Sequence, residues 1–181
     1  MGKVIVSTFI SLDGYINGPN GDTNWFLGDP EMQQYGADTL AAAAALLLGR
    51  RTYELFLAYW PQATGDSADR LNRLPKVVFS RTLERVEWGS WPAPHLVKDH
   101  IPAAVAALRQ QYAGDLVIFA GAGIVKAFHE LDLIDEYRLL IHPLVLGGGT
   151  PLFQGWTPLK LKLLREDHFP NGVTILRYTK E

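Results

Sequence analysis

Short apolar runs alternate with amphipathic stretches along most of this chain, and toward its end the amphipathic stretches disappear. Lys3 to Ile10 is crowded with β-branched and aromatic residues, which predicts a strand. Ser11 to Pro30 breaks the pattern with four glycines, two prolines and three aspartates, so it reads as a long loop. A loop of that length inside a compact domain is usually functional. Glu31 to Leu48 fits two periods: one alanine-rich helix, or a helix to about Ala42 followed by a strand buried on both faces at Ala44 to Leu48. The glycine that closes the Leu46-Leu47-Leu48 run favours the second division. Arg51 to Trp60 is then a helix ended by Pro61.

Lys76 to Ser80 is a strand entered through Pro75, and the Trp88 to Pro94 stretch is an irregular connection to a short strand at His95 to Lys98. Ile101-Pro102 opens a helix through Tyr112, proline suiting a first helical turn. Leu116 to Phe119 is a buried strand, and Gly121-Ala122-Gly123 leads into a helix to Leu131. Tyr137 to His142, Leu161 to Asp167 and Val173 to Tyr178 are the last strands, the final two joined by a turn around Pro170-Asn171-Gly172. Alternating strands and helices followed by strands alone give the α/β class. The expected architecture is a mainly parallel sheet flanked by helices with an antiparallel finish, in one domain over residues 1–181.

Composition narrows the classes. The chain has 181 residues, 48% of them hydrophobic and 20% charged, as in an ordinary globular domain with one sizeable core. A net charge of −2 and a pI near 6.2 argue against a nucleic-acid or membrane-coating protein. The absence of cysteine excludes disulfides, thiolate zinc sites and cysteine nucleophiles. The longest apolar run, Leu40 to Leu48, falls well short of the roughly 20 residues of a membrane span. Met1 to Ile10 is too short and too polar for a signal peptide. A cytoplasmic enzyme or binding module is the expectation.

Three strand-to-helix turns carry candidate chemistry. Gly49-Arg50-Arg51-Thr52 offers unpaired helix amides, two guanidinium groups and a hydroxyl, which suit a phosphate; a solvated basic turn is the alternative. Ser80-Arg81-Thr82 again sets hydroxyls beside a guanidinium after a strand. Ligands of parallel sheets gather at the carboxyl ends of strands. Two basic turns on one edge suit the extra phosphate that separates NADP from NAD. Gly121-Ala122-Gly123 is the third, although Lys126 stands where a dinucleotide fingerprint has its last glycine. In the long loop, Asp13, Asp29 and Glu31 are candidate proton donors, and Trp25 could pack as core or lid. The five histidines show no metal-ligand spacing, so no metal site is expected.

Four segments together resemble the reductase domain of the bacterial riboflavin-biosynthesis deaminase–reductase, the RibD C-terminal-like branch of the dihydrofolate-reductase-like superfamily. They are Ser11-Leu12-Asp13-Gly14-Tyr15-Ile16; Leu48-Gly49-Arg50-Arg51-Thr52-Tyr53-Glu54; Val77-Val78-Phe79-Ser80-Arg81; and the run from Gly121 through Leu133-Ile134-Asp135-Glu136 and Pro143 to Gly147-Gly148-Gly149-Thr150-Pro151-Leu152-Phe153. The resemblance implies a three-layer fold with helices on both faces of the sheet, and NADPH as cofactor. Gly49, Arg50, Arg51, Thr52, Ser80 and Arg81 would hold its adenine-ribose phosphate. Gly121, Ala122 and Gly123 would meet the pyrophosphate, and Asp13-Gly14 would lie beside the nicotinamide.

The implied reaction is hydride transfer to a small polar heterocycle, the parent substrate being the ribosylaminopyrimidine phosphate of riboflavin synthesis. Asp13 is the first candidate at the reacting end, as a positioning or proton-relay group, with Asp29 and Glu31 behind it. Folate reductases place a catalytic carboxylate five residues after the loop tryptophan, and here that position is Pro30. Folate or pterin reduction and a non-catalytic nucleotide-binding module are the rivals. The zinc deaminase half needs cysteines that this chain lacks. A homodimer is expected, partly from the resemblance and partly because the apolar run Tyr137 to Leu146 would leave a sticky sheet edge unless covered.

Overall fold

In the computed structural model, which describes residues 2–181, the alternation becomes β1 (Val4–Ser11), α1 (Pro30–Ala42), β2 (Ala43–Gly49), α2 (Arg50–Tyr59), α3 (Asp66–Arg73) and β3 (Lys76–Phe79). The second half supplies β4 (His95–Val97), α4 (Ile101–Gln111), β5 (Asp115–Phe119), α5 (Ala122–Glu130), β6 (Glu136–His142), β7 (Leu161–His168) and β8 (Thr174–Lys180). All eight strands join one sheet in the order β4-β3-β2-β5-β1-β6-β8-β7. The first six in that order run parallel, and β8 pairs antiparallel with both β6 and β7. No helix among the described residues is long and apolar enough to cross a membrane.

Parallel strands must be covered on both faces, and the apolar runs read that way. Along β2, Ala45 and Leu47 enter one core with Val105 and Leu108 of α4 and Val125 and Phe128 of α5. Leu46 and Leu48 point the other way, into a core with Tyr53 of α2 and Leu71 of α3. A third cluster beneath α1 joins Met32 to Leu140 and Ile175, with Phe9 packed against it. The division of residues 31–48 into helix and strand is therefore real, and no loop separates the two elements.

Three expectations need correction. The helix expected to end at Pro61 passes instead into a 3-10 turn, Trp60–Gln62. Helix α3 had no counterpart in the sequence reading, because Asp66–Arg73 is polar and short. It forms because Ala68, Leu71 and Asn72 share one buried face, and because Asp66 and Asp69 at its start and Arg70 and Arg73 at its end oppose its dipole. The run Tyr137–Leu146 exposes no sheet edge: β6 lies inside the sheet, between β1 and β8 of the same chain. The sheet's two edges are β4 and β7, and on β7 Leu163 and Leu164 stand exposed.

Lys76 opens β3 with only 4% of its surface exposed. Its Nζ donates to the carbonyls of Asn72 (2.8 Å) and Leu74 (2.7 Å) at the end of α3, and lies 4.6 Å from the centre of the Trp88 ring. Trp88 Nε1 in turn donates to Asn72 Oδ1 at 2.7 Å. The ammonium thus caps α3 without a carboxylate partner, and burial pulls its pKa down to about 8. A folded-state pKa below the unfolded value means that charged Lys76 opposes folding. That cost applies below pH 8 and fades as pH climbs toward the ordinary lysine value. Stability measured by urea denaturation should therefore rise between about pH 8 and pH 10 through this group, and Lys76→Met should flatten that part of the profile.

The turn between β5 and α5 is a tight one. Ala120 has φ +54° and Gly121 φ +93°, both in the left-handed region. A Cβ on Gly121 would lie 2.8 Å from Thr52 Oγ1. Alanine at such a φ costs roughly 1–2 kcal/mol, partly offset by the greater unfolded-state freedom of glycine. Ala120→Gly should accordingly raise the unfolding free energy by up to about 1 kcal/mol, whereas Gly121→Ala should lower it by about 1–3 kcal/mol. Loss of stability in Ala120→Gly, or none in Gly121→Ala, would contradict this account of the turn.

Candidate active site

The parallel strands all open on one edge of the sheet, and the chain changes direction there. From β1 it crosses through α1 toward β2, on one side; from β5 it crosses through α5 toward β6, on the other. Loops leaving neighbouring β1 and β5 diverge, so a crevice opens at their carboxyl ends.

One half of the crevice is built from the three turns singled out above, and the structure brings them into contact. Because β2 lies between β3 and β5, its turn touches both neighbours. Gly49 faces Ile124 of α5, where a Cβ would fall 3.2 Å from the isoleucine Cβ, and Gly121 approaches Thr52. On the other side, Arg50 Nη1 donates to Thr82 Oγ1 at 2.9 Å, and its Nε donates to Glu54 at 2.7 Å. Ser80 Oγ accepts from the amides of Leu83 (3.2 Å) and Thr82 (3.3 Å). Arg50 thus braces two turns, while Arg51 and Arg81 are exposed. Neither α2, which starts after Gly49, nor α5, which starts after Gly121, has a side-chain cap on its first amides. Two helix N-termini with unpaired donors therefore meet beside two exposed guanidinium groups, and Ala122 and Gly123 form the first turn of the second helix.

The other half lies between the β1–α1 loop and the β6–β7 loop. Asp13 ties them: Oδ1 accepts from Ser11 Oγ (2.7 Å) and Leu146 N (3.1 Å), and Oδ2 accepts from Gly147 N (2.7 Å). The Ser11 hydroxyl, aided by the two amides, holds the Asp13 pKa down to about 2. Such a carboxylate is ionised at neutral pH and spent on the loops. It positions the site and has no proton to donate. Gly14 (φ +91°) turns the chain so that its carbonyl accepts from Leu152 N at 3.0 Å. Ile16 N and Asn17 Oδ1 then bind the two backbone groups of Thr150. The Gly147-Gly148-Gly149 run lies between these anchors and is held against the β1–α1 loop.

Asp29 and Glu31 serve the start of α1. Asp29 Oδ1 accepts from Met32 N at 2.8 Å as the helix N-cap, Pro30 fills the first turn, and Glu31 is exposed beside it. The three proposed proton donors are therefore separated: Asp13 braces loops and the other two begin a helix.

Sequence reasoning passed over His142. It ends β6, in register with Ser11 of β1, and is completely buried. Its ring meets Phe9 (5.1 Å), Trp25 (5.2 Å) and Phe26 (5.9 Å), so the long loop folds back onto the sheet through aromatic contacts. Nδ1 lies 3.1 Å from the Leu140 carbonyl, Nε2 has no hydrogen-bond partner, and burial lowers the ring pKa. The only signal in the sequence was a single histidine in an apolar strand just before a proline. Trp25 is thus a loop anchor. A separate cavity of about 250 Å³, bordered by His129, Tyr137 and Lys180, lies at the opposite edge of the sheet.

Comparison with known proteins agrees with this architecture. The RibD C-terminal domain family matches residues 2–175. An uncharacterized protein of Bacillus subtilis, YyaP, is 31% identical over 182 residues, covering 97% of this chain and 94% of YyaP. The crystal structure of a putative riboflavin biosynthesis protein from Shewanella sp. PV-4 superposes with a TM-score of 0.84 at 25% identity, covering 99% of each chain. Dihydrofolate reductase from Enterococcus faecalis, solved with NADP(H), superposes with a TM-score of 0.63 at 15% identity, covering 99% of this chain and 97% of that one. The fold is therefore dihydrofolate-reductase-like, and the chain belongs to the RibD C-terminal domain family.

Proposed function

We propose that this chain is an NADPH-dependent reductase of a small heterocyclic substrate. The observation that carries the reading is the meeting of three strand-end turns, with two uncapped helix N-termini and the exposed Arg51 and Arg81 on one side of the crevice. Those donors fit a dinucleotide: unpaired amides and helix dipoles favour the pyrophosphate, and guanidinium groups favour a further phosphate. Gly121 fits as well, since the space a Cβ would need is already filled by Thr52. When bound, NADPH supplies the hydride.

The residues of the chain would then divide the work. Arg51 and Arg81 would bind the adenine-ribose phosphate, while Arg50 keeps the two turns apart at a fixed distance. Gly121, Ala122 and Gly123 would let the backbone of α5 approach the pyrophosphate. Asp13, by tying the two loops, would fix the wall against which the nicotinamide and substrate lie. Trp25 and Phe26, held by His142, would close the substrate side from water. Proton delivery would come from solvent or substrate, since Asp13 and Asp29 are engaged with backbone amides and Glu31 stands exposed on the first turn of α1. That last point favours, as a second reading, a nucleotide-binding module without turnover. Folate reduction is disfavoured by Pro30 in the place of a carboxylate, general acid assistance being worth about 10²–10⁴-fold in rate.

NADPH should bind more tightly than NADH, because each charge-assisted bond to the extra phosphate contributes roughly 1.5–3 kcal/mol. Isothermal titration should show at least about a tenfold preference, narrowed by Arg51→Ala or Arg81→Ala. Equal affinities for the two cofactors would sink the assignment, and NADPH oxidation across candidate heterocycles separates enzyme from module. We also propose that the chain works as a homodimer through the β7 edge with its exposed Leu163 and Leu164. Light scattering after gel filtration should give about twice 20.1 kDa, and a mass near 20.1 kDa at micromolar concentration would rule the pair out.

A further inference from the structure

Charge is divided sharply between the halves of the crevice. No lysine or arginine occurs between Lys3 and Arg50, a stretch holding five carboxylates: Asp13, Asp22, Asp29, Glu31 and Asp38. The stretch from Leu139 to Leu159 holds no aspartate, glutamate, lysine or arginine at all. These two segments build the half of the crevice opposite the basic turns. What they present to solvent there is apolar: Leu12 and Val145 are each 67% exposed, Leu27 41% and Phe26 36%. Single exposed aliphatic side chains are common, but four on converging loops around a crevice mark a surface meant to be covered by a ligand.

Lys126 of α5 reaches the β6–β7 loop at Gly155, but from the face of the sheet opposite α1 and with Glu130 3.7 Å away; the other positive groups near this half are already engaged. Arg138 Nε lies 2.7 Å from Glu136, and Arg177 lies 2.9 Å from Asp167, both further along the sheet toward β8. His142 is buried with a lowered pKa and adds no charge near neutrality. The one helix N-terminus here, that of α1, is spent as well. Asp29 occupies its cap, Pro30 supplies no amide hydrogen, and Glu31 adds a second negative group to the first turn.

We infer that the substrate of this chain is a flat, unphosphorylated heterocycle, neutral or cationic. This rests on reading the crevice as a reductase site, and it departs from the phosphorylated parent substrate that the family resemblance implies. A substrate phosphate on the α1 side of this half would face Asp13 and the capped α1 terminus with no lysine or arginine of these two segments to meet it, whereas an uncharged ring can lie against Phe26, Leu12 and Val145.

Two ligand pairs test the inference by titration into the protein without cofactor: a ribosylaminopyrimidine and its 5′-phosphate, and riboflavin and its 5′-phosphate. The unphosphorylated member should bind at least about tenfold more tightly in a pair that binds, as expected for a dianion placed near several carboxylates. Val145→Lys should narrow that gap by restoring a cation to the rim. Equal or tighter binding of the phosphorylated member overturns the inference, as does an unchanged gap in Val145→Lys or no binding of either pair at about 1 mM. Failure of the cofactor assignment is read separately, from titration with NADPH and NADH alone.

Discussion

Burial of the central parallel strands on both faces is the constraint from which the rest of this structure follows. A strand covered on both sides cannot carry exposed polar groups along its length, so β2 is built from Ala45 to Leu48 without a polar side chain. Chemistry is displaced to the strand ends. There the chain must turn sharply into helices that lie on the sheet, and the first amides of those helices are left unpaired. The same requirement that gives the fold its core therefore gives its carboxyl edge a supply of hydrogen-bond donors.

Strand order then decides which turns meet. Since β2 sits between β3 and β5, the Gly49–Thr52 turn touches the Ser80–Thr82 turn through Arg50 and the Gly121 turn through Thr52. Since β1 sits beside β6, the Asp13 loop reaches the amides of Leu146 and Gly147. The crevice thus has a basic half and an apolar, acid-bordered half, separated by the line where the chain reverses its direction of winding. Electrostatic asymmetry of this kind favours anionic groups on one side and leaves the other to stacking and apolar contact.

The carboxylates show how chemistry and scaffolding compete for one residue type. Asp13, Asp29 and Glu31 all looked like proton donors by position in a loop. Asp13 instead accepts from a hydroxyl and two amides, which stabilises its ionised form, and Asp29 accepts from the first turn of α1. Aspartate is a good turn former because its short side chain reaches nearby amides, and that reach removes it from acid–base work. His142 is the converse case. Its local sequence marked it only as a single histidine in an apolar strand before a proline, yet it is the residue on which Trp25 and Phe26 fold back to the sheet.

The sequence by itself determined the class of fold and the three basic or glycine-rich turns. Those depend on local rules: apolar runs bounded by glycine and proline, helix starts marked by proline, and donors clustered after strands. It also carried the division of residues 31–48, since a leucine run closed by glycine favours a buried strand. Tertiary structure alone decided what those rules do not reach. Helix α3 exists because Ala68, Leu71 and Asn72 find a core to enter, and Lys76 caps it from a neighbouring strand. The interior place of β6 follows from its pairing with β8, which an apolar run cannot announce. Asp13 became a brace only because strand order set it beside a loop more than a hundred residues away. Apart from the Lys76 cap, which reaches only four residues back along the chain, each of these is a long-range contact whose energy belongs to two segments at once, and a sequence read one segment at a time holds only half of it.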